Sequence, residues 1–528
     1  MGTIMPYAAF SRPLKRKANE NLPDKSETQQ YKRIRATYDY VYEQMFLKGE
    51  NSDITIIALE REWHLHRIFL KHSQYFSALL EGGWKESEEN VLRLKLTDEN
   101  ITEEGLHVIF GSFYNDQVKI TKNNVVGVLA AATWFQLDEI RDYCERILCR
   151  FVKLNTISSL YDLSVKYLLL KLEHVCVSWL ATRFSLVPWC KLSFEVKKKI
   201  SISLMQSVIQ HPCFIVLHFE QDLFRDLLMW VYLHLHPEIP YSWPPLNFKR
   251  EVYAFFQHKN FFETPEGRPY ADVFKLLKWE NILTNLDSTM SVISDQLIPE
   301  AWINETCRFL WLKQLKCHDL HTLRNRTSTP RIHTISPNQP SEQDRSLQPV
   351  DSRSNHQPNS PPIAPTEVGD EFWKHCERFG TIIEHHRSWR WSGYAFGVDL
   401  VFSYQSNKIT VTRSTEESEA VSLVSPLPTI KVEIDLRVFS RQALFKNDHP
   451  GDTVSDSLQE MLLECKDDLN ADDSGDDDSI DRIKSRLQPT VLSTRRAILL
   501  MIPNAKYELL RLPRDIIYPL VISLAIRR

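Results

Sequence analysis

The spacing of apolar residues in the first 150 positions alternates between helical and strand periods. A stripe of apolar residues three and four positions apart begins at Tyr38 and continues to Phe46, which predicts an amphipathic helix. The β-branched segment 54–59 and the segment 63–65 predict two strands of a hairpin with Glu60-Arg61 at its tip. The elements expected after this hairpin are helix 68–80, strand 91–96 and helices 102–114, 124–137 and 138–152.

Beyond this part, the pattern is almost entirely helical as far as residue 317. The clearest periodic segments are 157–170, 172–184 and 223–235, and a group of prolines between 237 and 245 marks one irregular break. Residues 318–366 are dominated by Ser, Thr, Pro, Asn and Gln, a composition typical of disorder. We therefore expect a helical region over 151–317 and a disordered linker after it.

Residues 367–528 show strand-like runs instead of helical ones. These runs lie at 394–402, 409–412, 429–439, 497–503 and 516–526. The acidic stretch 446–486 interrupts them and predicts a solvated, disordered insert within one β-rich domain. We expect the last strand in the core of that domain, beside the strands near residue 396. The whole pattern predicts an α+β multidomain protein.

The polar N-terminal segment, residues 1–37, contains prolines and predicts a disordered tail. Two short basic clusters on it suit the acidic groove of a nuclear import receptor, so we expect the protein in the nucleus. The clusters consist of Lys15, Arg16, Lys17, Lys32, Arg33 and Arg35. The alternative is a solvated tail that aids solubility and nothing else.

The composition of the 528 residues narrows the function. Lys and Arg number 64 and Asp and Glu 68, so the net charge is 64 − 68 = −4, which argues against a protein that coats nucleic acid. With 14 glycines, glycine-rich phosphate loops and kelch-type propellers are not expected. The nine cysteines form no C-x-x-C pair, which favours buried free thiols in a reducing compartment.

The motifs indicate a protein without catalysis or cofactors. Walker, G-x-S-x-G, H-E-x-x-H and kinase signatures are missing from the sequence. His64 and His66 lie two positions apart on an expected strand, but no further ligand has the spacing of a metal site. The apolar stretch 516–526 is too short for a membrane span.

The first domain resembles the BTB (POZ) family. The resemblance rests on three segments in the family's order and separation, 51–54 (NSDI), 63–70 (WHLHRIFL) and 73–80 (SQYFSALL), and it covers residues 38–150. BTB domains have an α/β fold and dimerise through an N-terminal helix and strand, which implies a homodimer here. The dimer residues on the expected helix are Tyr42, Met45 and Phe46. The alternative is that this helix packs within its own chain.

A subset of BTB domains binds cullin-3 through a hydrophobic-x-Glu motif that follows the S-x-Y-F helix. Trp84 and Glu86 occupy that place, and Tyr114 lies where the family adds an aromatic residue to the same surface. An aromatic anchor beside a carboxylate suits an interface hot spot. The resemblance therefore implies a cullin-3 site formed by these three residues.

The helices after residue 150 resemble a BACK domain, and longer runs resemble the germ cell-less family of BTB proteins. Those runs are 261–269 (FFETPEGRP), 298–302 (IPEAW) and 389–400 (WRWSGYAFGVDL). The family resemblance implies a C-terminal substrate-binding domain, and the residues we select there are Trp389, Trp391, Tyr394 and Phe396. The alternative is that these aromatic residues form the domain's own core.

The function implied by the resemblance is that of a substrate adaptor in a cullin-3 ubiquitin ligase. Members of the family are regarded as cullin-3 substrate receptors with a nuclear or nuclear-envelope association, linked to germ-cell formation. Such an adaptor dimerises, binds the cullin and recruits an unidentified protein substrate, and it supplies proximity rather than catalysis. The rival hypothesis is a nuclear scaffold or transcriptional co-regulator that binds partners without ubiquitylation.

Overall fold

The computed structural model describes residues 40–83, 88–115, 119–187, 191–239, 248–257, 259–283, 286–312, 315, 372–373, 376–393, 398–414, 430–444, 491–501, 504–513 and 518–527. The predicted tail, linker and acidic insert, including the six basic residues of the import clusters, lie outside these ranges. The chain divides into two compact units. The first ends at Cys144 and the second begins at Glu145.

The first unit combines a small sheet with short helices. In chain order its elements are a π-type helix α1 (Val41–Leu47), β1 (Ile54–Ala58), β2 (Arg61–Leu65), α2 (Arg67–Leu70), α3 (Gln74–Glu81), β3 (Val91–Arg93), α4 (Glu103–Ser112), α5 (Val125–Trp134) and the start of α6 (Asp138–Cys149). The strand order is β2-β1-β3, with β1 antiparallel to β2 and parallel to β3. Ile56, Trp63 and Leu92 are buried on this sheet.

The hairpin turn lies one residue earlier than the sequence predicts. Leu59 and Glu60 form it, with φ of 50° and 62°, and Arg61 belongs to β2, opposite Ala58. Two successive positive φ values define a type I′ turn, whose usual signal is Asn-Gly, and neither residue supplies that signal. Strand β3 is also shorter than predicted and ends at Arg93, although Leu94 N–H still donates to the Ile57 carbonyl.

An aromatic core and a close helix contact hold the helices of the first unit. Phe76, Phe110 and Phe135 are fully buried and contact one another. Helices α4 and α5 approach so closely at Gly105 and Gly127 that a Cβ added to Gly105 would lie 2.6 Å from the Gly127 carbonyl carbon. Glycine at residue 105 is therefore a packing requirement.

The second unit begins with helices. They are α7 (Ile157–Lys166), α8 (Leu170–Ala181), α9 (Lys191–Lys199), α10 (Ile202–Gln210), α11 (Glu220–Leu235), α12 (Phe248–Phe256), α13 (Arg268–Lys275), α14 (Trp279–Ile282), α15 (Leu286–Asp295) and a helix over 300–312. The helical region predicted after residue 150 is confirmed. The predicted helix 157–170 is too long, because Leu168 takes a φ of 54° and ends it.

The C-terminal part is a sandwich of two antiparallel sheets. Its strands are β4 (Glu377–Ile383), β5 (Arg387–Gly393), β6 (Val398–Gln405), β7 (Lys408–Ser414), β8 (Ile430–Ser440), β9 (Val491–Met501), β10 (Lys506–Arg511) and β11 (Leu520–Arg527). The sheet orders are β10-β7-β6-β5 and β4-β11-β8-β9. One buried apolar cluster takes residues from both sheets. The last strand shares this cluster with β6, but its hydrogen-bonded neighbours are β4 and β8.

Buried contacts join the sandwich to the preceding helices within the second unit. Leu186 and Ile215 pack against Phe439 and Val521. Arg183 Nε donates to the Leu444 carbonyl at 2.8 Å. Leu444 is the last residue of a short helix, α17 (Arg441–Leu444), and the helix over 300–312 is α16. These contacts fix the sandwich on the helices independently of the chain between them.

An ion pair with almost no solvent exposure lies at the same junction. Glu220, at the start of α11, has a fully buried side chain, and it accepts hydrogen bonds from the Arg378 guanidinium of β4 through both carboxylate oxygens. Lys278 N–H donates to the same carboxylate at 3.0 Å, and Arg378 also donates to the Ile209 carbonyl at 3.3 Å. One carboxylate therefore ties together three separate segments of the chain.

A half-buried histidine at this junction, His211, predicts an acid-sensitive stability. His211 Nε2 lies 3.1 Å from Ser178 Oγ, and Cys213 N–H donates to Nδ1. Burial, with the neighbouring charges of His174 and Arg437, lowers the pKa of His211 to about 4. Because the folded-state pKa lies below the unfolded value, the neutral ring stabilises the fold above about pH 6.5, and this contribution is lost as the pH falls toward 4.

We expect His211→Asn to flatten this pH dependence, because an asparagine oxygen keeps an acceptor near the Cys213 amide and does not titrate. Urea unfolding of the wild type and the variant between pH 7 and pH 4 measures the slope. Equal slopes in the two proteins would show that the acid sensitivity arises elsewhere.

Candidate functional site

A groove follows the exposed side of helix α3 in the first unit. It has a volume of about 590 Å³ and is lined by Lys71, His72, Gln74, Ser77, Ala78, Glu81 and Gly82. Lys71 Nζ lies 2.8 Å from Glu81 Oε1, and Ser77 Oγ donates to Glu81 Oε2 at 3.1 Å. These hydrogen bonds, chiefly that from Lys71, lower the pKa of the Glu81 carboxyl, which keeps the groove's carboxylate ionised at neutral pH.

Of the three predicted cullin-binding residues, Tyr114 lies among the described residues. Trp84 and Glu86 follow the groove directly in sequence but lie outside the described residues. Tyr114 is described and is buried, with 4% of its surface exposed, so it is not placed to touch a partner. The sequence identifies it as aromatic but does not reveal which way its ring points.

Tyr114 closes a polar pocket beneath the surface. Its hydroxyl accepts from the His66 backbone N–H at 2.9 Å and lies 3.0 Å from His66 Nδ1. His66 Nε2 lies 2.9 Å from the Glu50 carbonyl, which can only accept, so Nε2 carries the proton and Nδ1 accepts from the tyrosine. Phe46 and Phe69 cover the phenol ring, and this burial raises the Tyr114 pKa. The role of His66 is structural.

We expect Tyr114→Phe to lower the free energy of unfolding by about 1–2 kcal/mol, because it leaves two buried His66 groups without a partner. Urea unfolding measures this loss. Ile68→Val is the control, since Ile68 of the same unit is 71% exposed and its change is expected to stay within about 0.5 kcal/mol. A variant as stable as the wild type would mean that water replaces the hydroxyl.

Helix α1 packs partly within its own chain. Phe46 is buried, with its ring centroid 5.2 Å from that of Tyr42 and 5.0 Å from that of His107. Phe46 therefore belongs to the core of its own unit, which corrects its expected role as a dimer contact. Tyr42 and Met45 are half-buried, and Leu47 is exposed over 54% of its surface. The side of α1 that remains accessible carries these residues.

The predicted substrate-binding aromatic residues lie on or just after strand β5. Trp389 is half-buried and stacks on Phe402, with ring centroids 5.6 Å apart and planes within 11°. It thus packs against the sandwich core, as the alternative interpretation held. The backbone of Trp391 pairs with that of Leu400, but its side chain is not described. Tyr394 and Phe396 lie outside the described residues.

Comparison with known proteins decides the family. Residues 42–151 match the BTB/POZ domain family. Germ cell-less protein-like 1 of Mus musculus is 30% identical over 421 residues, which cover 78% of this chain and 72% of the relative. This chain belongs to the germ cell-less family. The Drosophila melanogaster protein germ cell-less is 25% identical over 409 residues, 72% of this chain and 65% of that protein. A shorter match, 26% over 183 residues, is to Kelch-like protein 8 of Caenorhabditis elegans, and it covers 34% of this chain and 25% of that protein.

Membership of the germ cell-less family confirms the resemblance found in the sequence and the α+β organisation. A BTB domain stands at the N-terminal end, helices follow it, and a β-rich part lies at the C-terminal end. BTB domains are protein-interaction modules that also self-associate, so this germ cell-less protein is an interaction adaptor.

Among the described residues, no group of three or more His, Cys, Asp or Glu side chains is placed to hold a metal ion. Burial raises the pKa of the Cys144 and Cys149 thiols to about 12, so neither is an activated nucleophile at neutral pH. Within the same ranges, every helix is too short or too polar to cross a bilayer.

Proposed function

We propose that this germ cell-less protein is a substrate adaptor of a cullin-3 ubiquitin ligase. The observation that carries the proposal is the groove along α3, which runs to Gly82 and is followed at once by Trp84 and Glu86. In sequence, an aromatic residue and a glutamate follow the residues of a groove that contains an ionised carboxylate, and this is the composition of a hot spot with a polar rim. Tyr114 enters this proposal as a buried residue that contacts Phe69, two positions before the first residue that lines the groove.

The proposed adaptor acts as a homodimer. Leu47 of α1 and Tyr40 just before it are exposed, and Tyr42 and Met45 are half-exposed. Obligate dimers typically bury more than about 2,000 Å² in total, and these residues would contribute part of such an interface. Two substrate sites in one assembly raise the effective affinity by ~10²–10⁴ when both can bind at once.

In this proposal the C-terminal part recruits a protein substrate for a ligase whose chemistry is performed elsewhere. The contribution of this chain is proximity between the substrate lysine and the charged conjugating enzyme. The basic clusters at Lys15–Lys17 and Lys32–Arg35 support import into the nucleus. The family membership supports a role in germ-cell development.

Calorimetric titration of the purified full chain with the N-terminal domain of cullin-3 tests the proposal. We expect saturable binding and a dimer mass by light scattering. Addition of neddylated cullin and its RING partner is then expected to transfer ubiquitin to a protein held by the C-terminal part. A dimer that fails to bind the cullin would exclude the ligase role and leave the scaffold or co-regulator hypothesis.

A further inference from the structure

The outer edge of strand β9 carries an exposed apolar surface on the sandwich. In the sheet order β4-β11-β8-β9 this strand is last, and within the described ranges it pairs with β8 alone. Ile498 and Leu500 alternate on one face of β9 and expose 61% and 65% of their surface. A long edge strand with exposed aliphatic side chains is a template for pairing with another chain.

The charges around this edge indicate which kind of strand it attracts. β9 contains Arg495 and Arg496 but no carboxylate, and Lys431 is exposed opposite Leu500 on β8. Arg496 and Arg527 share the carboxylate of Glu433, at 2.6 Å and 3.1 Å, while Asp435, opposite Arg496 on β8, pairs with Arg437 at 2.8 Å. The local charge is therefore positive, and an incoming segment with a carboxylate near Arg496 gains a favourable cross-strand contact.

Strand β9 is held firmly from its inner side. It pairs with β8 from Val491 to Met501. Arg495 Nη1 donates to the Leu509 carbonyl at 2.6 Å and Tyr507 Oη donates to the Leu500 carbonyl at 2.9 Å, which ties β9 to the opposite sheet. An edge that is already ordered loses little conformational entropy when a ligand pairs with it.

The exposed residues also continue an interface that the chain already builds. Phe439 of β8 and Val521 of β11 lie on the same face of this sheet as Ile498, according to the strand registers. Both pack against the helices of the second unit. This face therefore combines a covered half, against the helices, and an open half at β9.

We propose that β9 is the docking edge for an extended, acidic and aliphatic segment of a partner protein, which adds a fifth strand to the sheet β4-β11-β8-β9. The segment places two aliphatic residues in alternation over Ile498 and Leu500 and a carboxylate beside Arg496. Backbone hydrogen bonds supply affinity, and the alternate side chains supply selectivity. This inference rests on the proposed substrate-binding role of the C-terminal part and gives it a binding mode.

The test uses the full chain and a fluorescent ten-residue peptide of alternating valine and threonine with an aspartate at one end. Anisotropy measures the affinity, and hydrogen exchange of the β9 amides locates the contact. We expect the peptide to slow exchange in β9. We also expect the double variant Ile498→Asp, Leu500→Asp to bind it at least about tenfold more weakly, as for the loss of an interface hot spot.

Matched variants distinguish docking at β9 from nonspecific binding of the peptide to exposed apolar residues. Leu168 and Leu170 are each 74% exposed on the helical region, and replacing both by aspartate is expected to leave peptide affinity unchanged. Arg496→Gln, a milder second variant, is expected to abolish the preference for the aspartate peptide over one ending in lysine. Equal affinity of the β9 double variant and the wild type, or protection at another strand, would overturn the proposal.

Two other occupants of this edge are outcomes of the same experiment. If deletion of residues 446–486 accelerates exchange of the β9 amides without any peptide, the chain's own acidic stretch is the occupant and the proposal is wrong. If the aspartate double variant turns a dimer into a monomer, the occupant is a second copy. The cullin titration measures binding by the BTB unit, whereas the peptide experiment measures binding at β9. Absence of cullin binding would therefore count against the ligase role and not against docking at β9.

Discussion

Replacing Glu220 by alanine is expected to lower the free energy of unfolding of the second unit by about 3–5 kcal/mol, because the change leaves the Arg378 guanidinium buried without a counter-charge. The guanidinium is only 10% exposed, so water cannot replace the lost carboxylate fully. The Lys278 amide also loses its acceptor. Urea unfolding followed by circular dichroism measures the change.

An exposed ion pair of the same unit provides the control. Lys275 and Asp272 lie 2.9 Å apart with side chains that are 55% and 69% exposed. Asp272→Ala is therefore expected to cost at most about 0.5 kcal/mol. In a double-mutant cycle, Arg378→Ala should restore part of the stability lost in Glu220→Ala. A loss below about 1 kcal/mol in the Glu220 variant would contradict the importance of the buried pair.

The double variant Trp84→Ala, Glu86→Ala is expected to weaken binding to the cullin-3 N-terminal domain by at least about 2 kcal/mol, which is roughly thirtyfold. The expected loss comes from removing an aromatic residue and a carboxylate that follow the α3 groove in sequence. Calorimetric titration against the cullin domain measures the affinity, and light scattering shows whether the dimer persists.

Leu59→Ala is the matched control, because Leu59 is an exposed apolar residue of the same unit that lies in the β1–β2 turn. We expect this variant to bind the cullin with wild-type affinity. If the double variant also binds unchanged, the two residues do not belong to the interface. If both variants lose binding, the cause is a general defect of the BTB unit.

The local pattern of apolar residues predicted most elements to within a few positions. Helix α11, for example, was expected over 223–235 and spans Glu220–Leu235. Two of the errors fall where the backbone takes a positive φ without glycine. Leu59, Glu60 and Leu168 adopt this conformation. Because leucine and glutamate carry no turn signal, the hairpin tip and the break between α7 and α8 could not be located from the sequence.

Long-range contacts were beyond the reach of sequence patterns. The partners Glu220 and Arg378 are separated by 158 positions, and no spacing rule connects them. The same holds for Tyr114 and His66, which are 48 positions apart. Their hydrogen bond forms inside the unit, whereas Tyr114 was expected on the cullin-binding surface. Alternation did indicate a strand near 497–503, yet Ile498 and Leu500 look like core residues until the strand is known to be an edge.

The buried junction between the helices and the sandwich has a consequence for the length of the chain. The sequence between residue 315 and Phe372 connects the helices to the sandwich. The sandwich is held on the helices by other contacts, namely the ion pair of Glu220 with Arg378 and the apolar contacts of Phe439. Lengthening that stretch adds a loop-closure entropy that grows only as the logarithm of its length. Insertions and deletions can therefore accumulate there during evolution while the position of the sandwich on the helices of its own unit is inherited unchanged.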